Sequence, residues 1–536
     1  MDTSNSSAMP TSQSKSISLK PVNQHSMHTH TCGELRAENI GEVVTLTGWV
    51  WRRRDFGGLV FVDLRDREGL TQVLFDPDVA SEAFKTAEGI RPEWPVCITG
   101  TVQHRSEGQT NESLATGEVE ILASEIEVLN TAQTPPFQIE NHIDVNEDLR
   151  LRYRYVDLRR PHMARNLRLR SDFTFALREA FHKRDFTEVE TPALFKSTPE
   201  GARDFLVPSR MQGGSFYALP QSPQLLKQLL MIGGVERYYQ VAKCFRDEDL
   251  RADRQPEFTQ VDTEMSFVTQ DDVMSELEDI LSDAFGKMGI QMQTPLRRMQ
   301  YWDAMDTYGT DKPDTRYGMH LHDVTKIFAN SRFKLFAGSS KKKGQCVKSL
   351  NAKGAGTWPR AKIDRLADVA ATFGAKGLAY IAFREDGSIT SPIVKFFSEE
   401  EMVNLRKEMD VEPGDLVMFA VADRLHADQI LGGMRNHMAN ALGIKREGHD
   451  FLWVMNFPLF HWDEDRKAYA AEHQPFTQPE ESQIDLLDTA PTLTISLWTA
   501  SKLVAAVCVS MTLSCRRRSW RSSASPRSVP RHSSAF

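Results

Sequence analysis

The last 48 residues, Thr489 to Phe536, contain neither Asp nor Glu, although the 488 before them carry all 73 acidic side chains. That stretch holds one Lys, six Arg and many Ser, and past Cys515 it has no apolar periodicity. It does not continue the body of the chain in kind. Other absences narrow the class of protein. No apolar run reaches the roughly 18–20 residues that span a bilayer, so a membrane-crossing helix is not expected. The six Cys (Cys32, Cys97, Cys244, Cys346, Cys508, Cys515) lack the paired spacing of a zinc site or a disulfide framework, which fits a reducing cytoplasm. Residues 1–27 lack the apolar core of a signal peptide and read as a disordered extension, with Met27 a candidate initiator. Through Asp488 the chain has 58 basic against 73 acidic residues, a net charge of −15. That balance argues against indiscriminate nucleic-acid binding but leaves room for local basic patches. There are no internal repeats.

What is present reads as globular protein: 536 residues, 40% hydrophobic, 26% charged, enough for three or four domains. Five alternating segments lie between Val43 and Asn130: Val43–Trp51, Leu59–Leu64, Leu70–Phe75, Val96–Val102 and Val119–Val128. Short strands in that number and spacing predict a small closed barrel of the OB type. Within it, Arg52-Arg53-Arg54 leads through Asp55-Phe56-Gly57-Gly58 to Phe61. Cations beside a ring suit phosphate gripping and base stacking, and the same residues also read as a solvated charge run beside a core Phe. Residues 136–165 read as a linker, polar and then basic. A helix is expected from about Arg165 to Lys183, with Phe173, Leu177 and Phe181 on one face. Strands and loops follow at 186–268, an α/β-patterned module at 319–445, and an apolar strand pattern at Phe451–Phe460.

The segment richest in chemistry is Phe245-Arg246-Asp247-Glu248-Asp249-Leu250-Arg251-Ala252-Asp253-Arg254-Gln255-Pro256-Glu257-Phe258. It reads as a strand ending in Arg, a charged loop and a returning strand that opens with Phe. Such a hairpin can hold a nucleotide. The Arg neutralises charge growing on an α-phosphate, Glu248 accepts from an exocyclic amine, and Phe258 stacks on a purine. A hairpin laced with surface ion pairs is the plainer alternative.

This hairpin resembles the second signature motif of the class II aminoacyl-tRNA synthetases, and residues 28–491 together resemble a bacterial-type aspartyl-tRNA synthetase. Phe186-Thr187-Glu188-Val189-Glu190-Thr191-Pro192 is similar to the first motif, which in the family lies at a homodimer interface. Thr198-Pro199-Glu200-Gly201-Ala202-Arg203-Asp204 resembles the loop that closes over aspartate, and Gln221-Ser222-Pro223-Gln224-Leu225-Leu226-Lys227-Gln228 the amino-acid-recognition stretch. The resemblance implies an α+β multidomain chain. Its parts are an extension at 1–27, an OB-fold anticodon-binding domain at 28–135 and a hinge at 136–165. A class II antiparallel-sheet catalytic domain follows at 166–318 and 446–491, interrupted by the bacterial insertion at 319–445. It implies ATP-dependent activation of L-aspartate with Mg²⁺ and transfer to tRNA(Asp), with tRNA(Asn) an open second partner, in the cytoplasm. Lys227 would pair with the aspartate side chain, which a cation distinguishes from the neutral amide of asparagine. Glu200, Gln224 and Asp262 would surround the substrate ammonium. Arg246 would bridge the substrate carboxylate and the α-phosphate, and Asp247, Glu248, Gln255 and Phe258 would serve ATP. Arg54, Phe61 and Gln72 would contact the anticodon. His473 falls on the first His of a family His-His-Pro-Phe-Thr stretch, whose second position is Gln474 here.

Past Pro491 the chain departs from the family. An Asp and a Glu serving ATP and metal, a Gly-Gly-Gly-Ser run, an aspartate-binding Arg and the third motif are all expected there, and none follows; no metal ligand is retained. Read one base out of phase, the codons allowed for Thr492–Thr512 can spell Ala-Tyr-Asp-Leu-Ala-Leu-Asp-Gly-Phe-Glu-Ala-Gly-Gly-Gly-Ser-Val-Arg-Ile-His-Asp. Residues 492–536 therefore read as an out-of-frame tail, and the catalytic sheet is expected to lose strands and expose an edge. The expected result is an inactive copy. A non-catalytic tRNA-anticodon-binding protein is the alternative reading.

Overall fold

The computed structural model describes residues 27–198, 202–249, 255–463 and 467–472, with strand backbone at 494–495, 498–500 and 504–506. Residues 1–26 of the expected N-terminal extension (1–27), Glu200, the hairpin tip and His473 lie outside the described residues. The chain divides into two units, Met1–Arg170 and Ser171–Phe536.

Unit 1 is built on five strands: β1 (Val43–Phe56), β2 (Leu59–Arg65), β3 (Leu70–Phe75), β4 (Pro95–His104) and β5 (Val119–Val128). They close in the order β1-β2-β3-β5-β4. Alternation drives the closure: Val44, Leu46, Val60, Val62, Leu64, Val73, Val96, Ile98 and Ile121 fill one core. β1 runs five residues beyond the expected strand and carries a bulge between Val50 and Arg52. Gly57 and Gly58, at φ +60° and +93°, turn it into β2. Residues 136–165 hold more structure than a linker pattern predicts, with short helices Glu147–Arg152 and Arg154–Asp157. Asp157, fully buried, accepts from Arg150, Arg154 and Arg160. Burial alone would raise its carboxyl, but the hydrogen bonds from Arg150 and Arg160 hold it at about 2.

The expected amphipathic helix forms as Pro161–His182, running from unit 1 into unit 2, its first residue a Pro whose missing N–H costs nothing there. Ala176, Leu177, Ala180 and Phe181 pack against Val273, Leu277, Ile280 and Phe285 of the helix Gln270–Lys287. Phe181 stacks on Tyr239 at 4.4 Å and 4°. Behind this layer stand β6 (Thr187–Glu188), β9 (Arg237–Phe245) and β10 (Glu257–Met265), with β7 (Leu206–Pro208) and β8 (Phe216–Ala218) as a separate hairpin. β9 and β10 are antiparallel, and β6 joins β9 in parallel. A second sheet pairs β11 (Arg297–Gln300) with β17 (Leu452–Met455), where Trp453 is fully buried and donates to Glu278 at 2.7 Å.

The edge of this second sheet corrects one expectation. Backbone at Trp498–Ala500 pairs antiparallel with β17, Trp453 opposite Ala500, and Val504–Ala506 pairs beyond it. Strand addition uses main-chain donors and acceptors, so residues read as out of phase can still cover that edge.

Between β11 and β17 lies a five-stranded sheet in the order β12-β13-β16-β14-β15, antiparallel at each pairing. The strands are β12 (Leu321–Asp323), β13 (Gln345–Ala352), β14 (Ala379–Phe383), β15 (Ile389–Thr390) and β16 (Leu416–Asp423). The buried Lys348 ammonium on β13 is held by Asp306 from the helix Tyr301–Tyr308 and by Asp428 from the helix Arg424–Ala441. Burial pushes the Asp428 carboxyl up to about 6 despite Lys348. A raised carboxyl stabilises the fold below its unfolded value, and that contribution is lost as pH climbs from 3.8 through about 6. Asp428→Asn lacks this loss, so its urea midpoint should gain on that of the parent across that window. Parallel midpoint curves would contradict the assignment.

Candidate active site and nucleic-acid face

In unit 2 the site grows from one face of β10. Residues two apart on a strand point to the same side, so Phe258, Gln260, Asp262 and Glu264 form a row, opposite Cys244, Ala242, Gln240 and Tyr238 of β9. At the loop end, Arg246 donates its backbone N–H to Pro256 at 2.9 Å. Its guanidinium carbon lies 5.1 Å from the Phe258 ring centroid. Gln255 is exposed beside it. Asp247 donates its backbone N–H to the Arg203 carbonyl at 3.0 Å, which ties the 202–204 segment to the hairpin.

At the other end of the row, the helix Gln224–Ile232 places Lys227 over β10. Lys227 Nζ is 2.9 Å from Asp262 Oδ1, 3.2 Å from Glu264 Oε2 and 3.3 Å from the Thr263 carbonyl. All three side chains are at most 12% exposed. Burial works against the Lys227 charge, but Asp262 and Glu264 outweigh it and hold the ammonium above its ordinary range. Glu264 is raised by burial, with Lys227 pulling the other way. One ammonium thus faces two carboxylates, and polar capacity is left over. Gln224 Nε2, Gln228 Nε2 and Asp262 Oδ2 are buried without a hydrogen-bond partner among the described residues. A polar ligand that both donates and accepts would satisfy them.

Gln221, 1% exposed, donates to and accepts from Ala202 and also reaches Asp204. It anchors the loop that was expected to close over substrate. The sequence reading assigned no role to Glu264, Gln221 or Gln228. The signal for Glu264 was available: Asp262-Thr263-Glu264 on a strand puts two carboxylates on one face.

The structure brings Lys227, Gln224 and Asp262 into one cluster, and Arg246, Gln255 and Phe258 into another at the hairpin mouth. Glu200 and His473 fall outside the described residues. Among the described residues, no three His, Cys, Asp or Glu converge as a metal site.

In unit 1 the bulge in β1 brings Arg52 and Arg54 onto the outer face of β2 and β3. Arg54 stands opposite Phe61, and Asp63 lies between Arg52 and Gln72. Arg54 donates to Asp63 at 2.8 Å and to Gln72 at 3.2 Å, while Gln72 donates to Glu120 at 2.7 Å. Asp63 is raised by burial, against the pull of Arg54. Phe56, 64% exposed, meets Phe61 edge-on at 6.3 Å. All three predicted residues share one face, with Phe56 as an unpredicted second ring.

Both architectures have known counterparts. Residues 44–129 match a family described as an OB-fold nucleic acid binding domain, and residues 146–499 match the class II tRNA synthetases (D, K and N). The chain is 50% identical over 465 residues to an aspartate–tRNA(Asp/Asn) ligase of Desulfatibacillum aliphaticivorans, covering 86% of this chain and 78% of the relative. It is 49% identical over 466 residues to the protein of the same name from Halothermothrix orenii, with the same coverage. In fold it resembles the aspartyl tRNA synthetase from Entamoeba histolytica, at a TM-score of 0.50 and 17% identity over 92% of this chain and 80% of that one. The fold and the hairpin site define a class II tRNA synthetase with an OB-type nucleic-acid barrel. Within that class the chain belongs to the aspartate–tRNA ligase family. No helix among the described residues is long and apolar enough to cross a membrane.

Proposed function

We propose that the two ends of the β10 row are the two halves of an aspartyl-adenylate site. The observation that carries this is spacing. Phe258 and Asp262 lie four residues apart on one strand face, about 13 Å at ~3.3 Å per residue. That separates a base-stacking end from a cation-centred end by the length of an aminoacyl nucleotide. Lys227 takes the aspartate side-chain carboxylate, and Asp262, Gln224 and Glu200 take its ammonium. Arg246 sits between the α-carboxylate and the α-phosphate. Asp247, Glu248, Gln255 and Phe258 hold ATP, with Mg²⁺ arriving on its phosphates. A carboxylate oxygen attacks the α-phosphorus and pyrophosphate leaves. A terminal ribose hydroxyl of tRNA then attacks the activated carbonyl, loses its proton and displaces AMP. The protein contributes position and charge rather than a nucleophile.

The tRNA partner is tRNA(Asp), and the Asp/Asn names of the relatives extend the proposal to tRNA(Asn). The setting is a cytoplasmic homodimer, in keeping with the first-motif segment at 186–192. In this chain the reading change near Pro491 replaces the Asp, Glu and Arg that complete the pocket, and His473 alone does not restore them. The polypeptide as written is therefore a catalytically dead copy, and RNA binding by its barrel is the function it retains.

That retained function has a direct test. The full chain should bind a tRNA transcript with an aspartate anticodon more tightly than one with a scrambled anticodon. Phe61→Ala should remove about 1–3 kcal/mol of that binding by loss of stacking. Equal retention of both transcripts on a filter would refute anticodon reading.

A further inference from the structure

Unit 1 contains a second feature, further back along β1 from the Arg54–Phe61 pair and not used by the function above. A cleft of about 480 Å³ opens beside the barrel, lined by Trp49, Glu93, Pro135, Tyr153, Tyr155 and Arg159 among others. Its walls are aromatic. Trp49 is 36% exposed and Tyr155 69% exposed, and the rings of Tyr153 and Tyr155 meet edge-on at 6.3 Å.

Its charged groups are fixed in place. The Arg159 guanidinium lies 4.8 Å from the Trp49 ring centroid and pairs with Glu93. Glu93, 6% exposed, also accepts from Arg65 at 2.8 Å. Its φ of +68° is one that a non-Gly residue adopts only when its surroundings impose it. At the rim, Arg152 is exposed, with its guanidinium 5.7 Å from the Tyr153 ring. The carboxylate of Asp157 organises Arg150, Arg154 and Arg160 next to it.

We propose that this cleft takes an unstacked nucleotide of the bound RNA, its base against Trp49 and Tyr155 and its phosphate at Arg152 and Arg159. The inference rests on the reading of the barrel as an RNA-binding domain and adds a second contact to it. Three arguments favour RNA over an apolar or proline-rich peptide. Arg159 lines the cleft and the exposed Arg152 packs on its Tyr153, in a body of net negative charge, which suits a polyanion. Rings backed by guanidinium groups are the arrangement that receives splayed bases. The cleft also continues the barrel face: Trp49 and Arg54 lie on the same strand, about 17 Å apart at ~3.3 Å per residue, within the span of one folded RNA.

The test is filter binding of the full chain to an unmodified tRNA transcript with the aspartate anticodon, across a salt series. Tyr155→Ala should weaken binding about five- to 150-fold, leaving the slope of log affinity against log salt unchanged. Tyr155→Phe should restore the affinity. Arg152→Gln should weaken binding and reduce that slope by ~1. Tyr155 is exposed, so these variants should unfold at the urea midpoint of the parent. Full affinity in Tyr155→Ala beside loss in Phe61→Ala would overturn the cleft while sparing the barrel reading. Loss in Tyr155→Ala beside full affinity in Phe61→Ala would do the reverse. A parent chain that does not retain the transcript would overturn both.

Discussion

Purified from a host whose own enzyme has been removed by affinity depletion, the 536-residue chain will give no aspartate-dependent exchange of pyrophosphate into ATP. Restoring the alternative phase after codon 491 will raise exchange by about four orders of magnitude. That size follows from what the proposed phase change would replace. A single preorganised donor aimed at developing charge contributes about 10²–10³ in rate. Under the proposal at least two such groups would be at stake, an Arg for substrate and an Arg for adenine. The backbone pairing of Trp498–Ala500 with β17 does not rescue them. It covers a sheet edge, and the sequence there holds no Asp, Glu or Arg. Exchange that survives depletion and follows this chain through a tag would overturn the proposal. So would nucleotide sequence showing no synthetase-like peptide in the neighbouring phase.

The second large effect is one of stability and does not depend on turnover. Lys227→Met should lower unfolding free energy at pH 7 by about 3–5 kcal/mol, the range seen when one member of a buried ion pair is removed. The reason is local. Asp262 and Glu264 lie within 2.9 Å and 3.2 Å of the ammonium, and without it two buried carboxylates face each other. The pH dependence carries a sign. Glu264 is already raised in the parent, and losing Lys227 removes the influence that holds it down. A carboxyl raised in the folded state destabilises as pH climbs through its folded value, so the deficit of the variant should widen from acid to neutral pH. A pH-independent deficit, or one under 1 kcal/mol, would mean that the triad is not the buried charge cluster described here.

Much of the barrel was legible because strand alternation is a two-residue signal and its turns are marked by Gly and Asn. Val43, Leu59, Leu70 and Val119 begin strands where the pattern places them. The extension of β1 to Phe56 was not legible, since Arg52-Arg53-Arg54-Asp55 carries no alternation. Those residues are held by register against Asp63, Val62, Phe61 and Val60 and by the bulge after Val50. At the active site Lys227 and Asp262 could be named through resemblance alone, and the structure shows them in contact. Glu264 and Gln221 were missed for the same physical reason. Each acts through a neighbour, Glu264 through Lys227 and Gln221 through the Ala202 backbone, and a motif read residue by residue does not display such pairs. The helical structure within residues 136–165 was hidden because Asp157 organises it by collecting three arginines that look, in sequence, like a solvated run.

Among the described residues, the barrel core and the side chains packed against it extend no further along the chain than Val128. On a ribosome, that core is complete hundreds of residues before codon 491, and a domain of this kind folds as its own unit during synthesis. The proposed reading change near codon 491 would thus arrive too late to touch it. Each round of translation leaves a finished RNA-reading module attached to whatever the remaining message happens to encode.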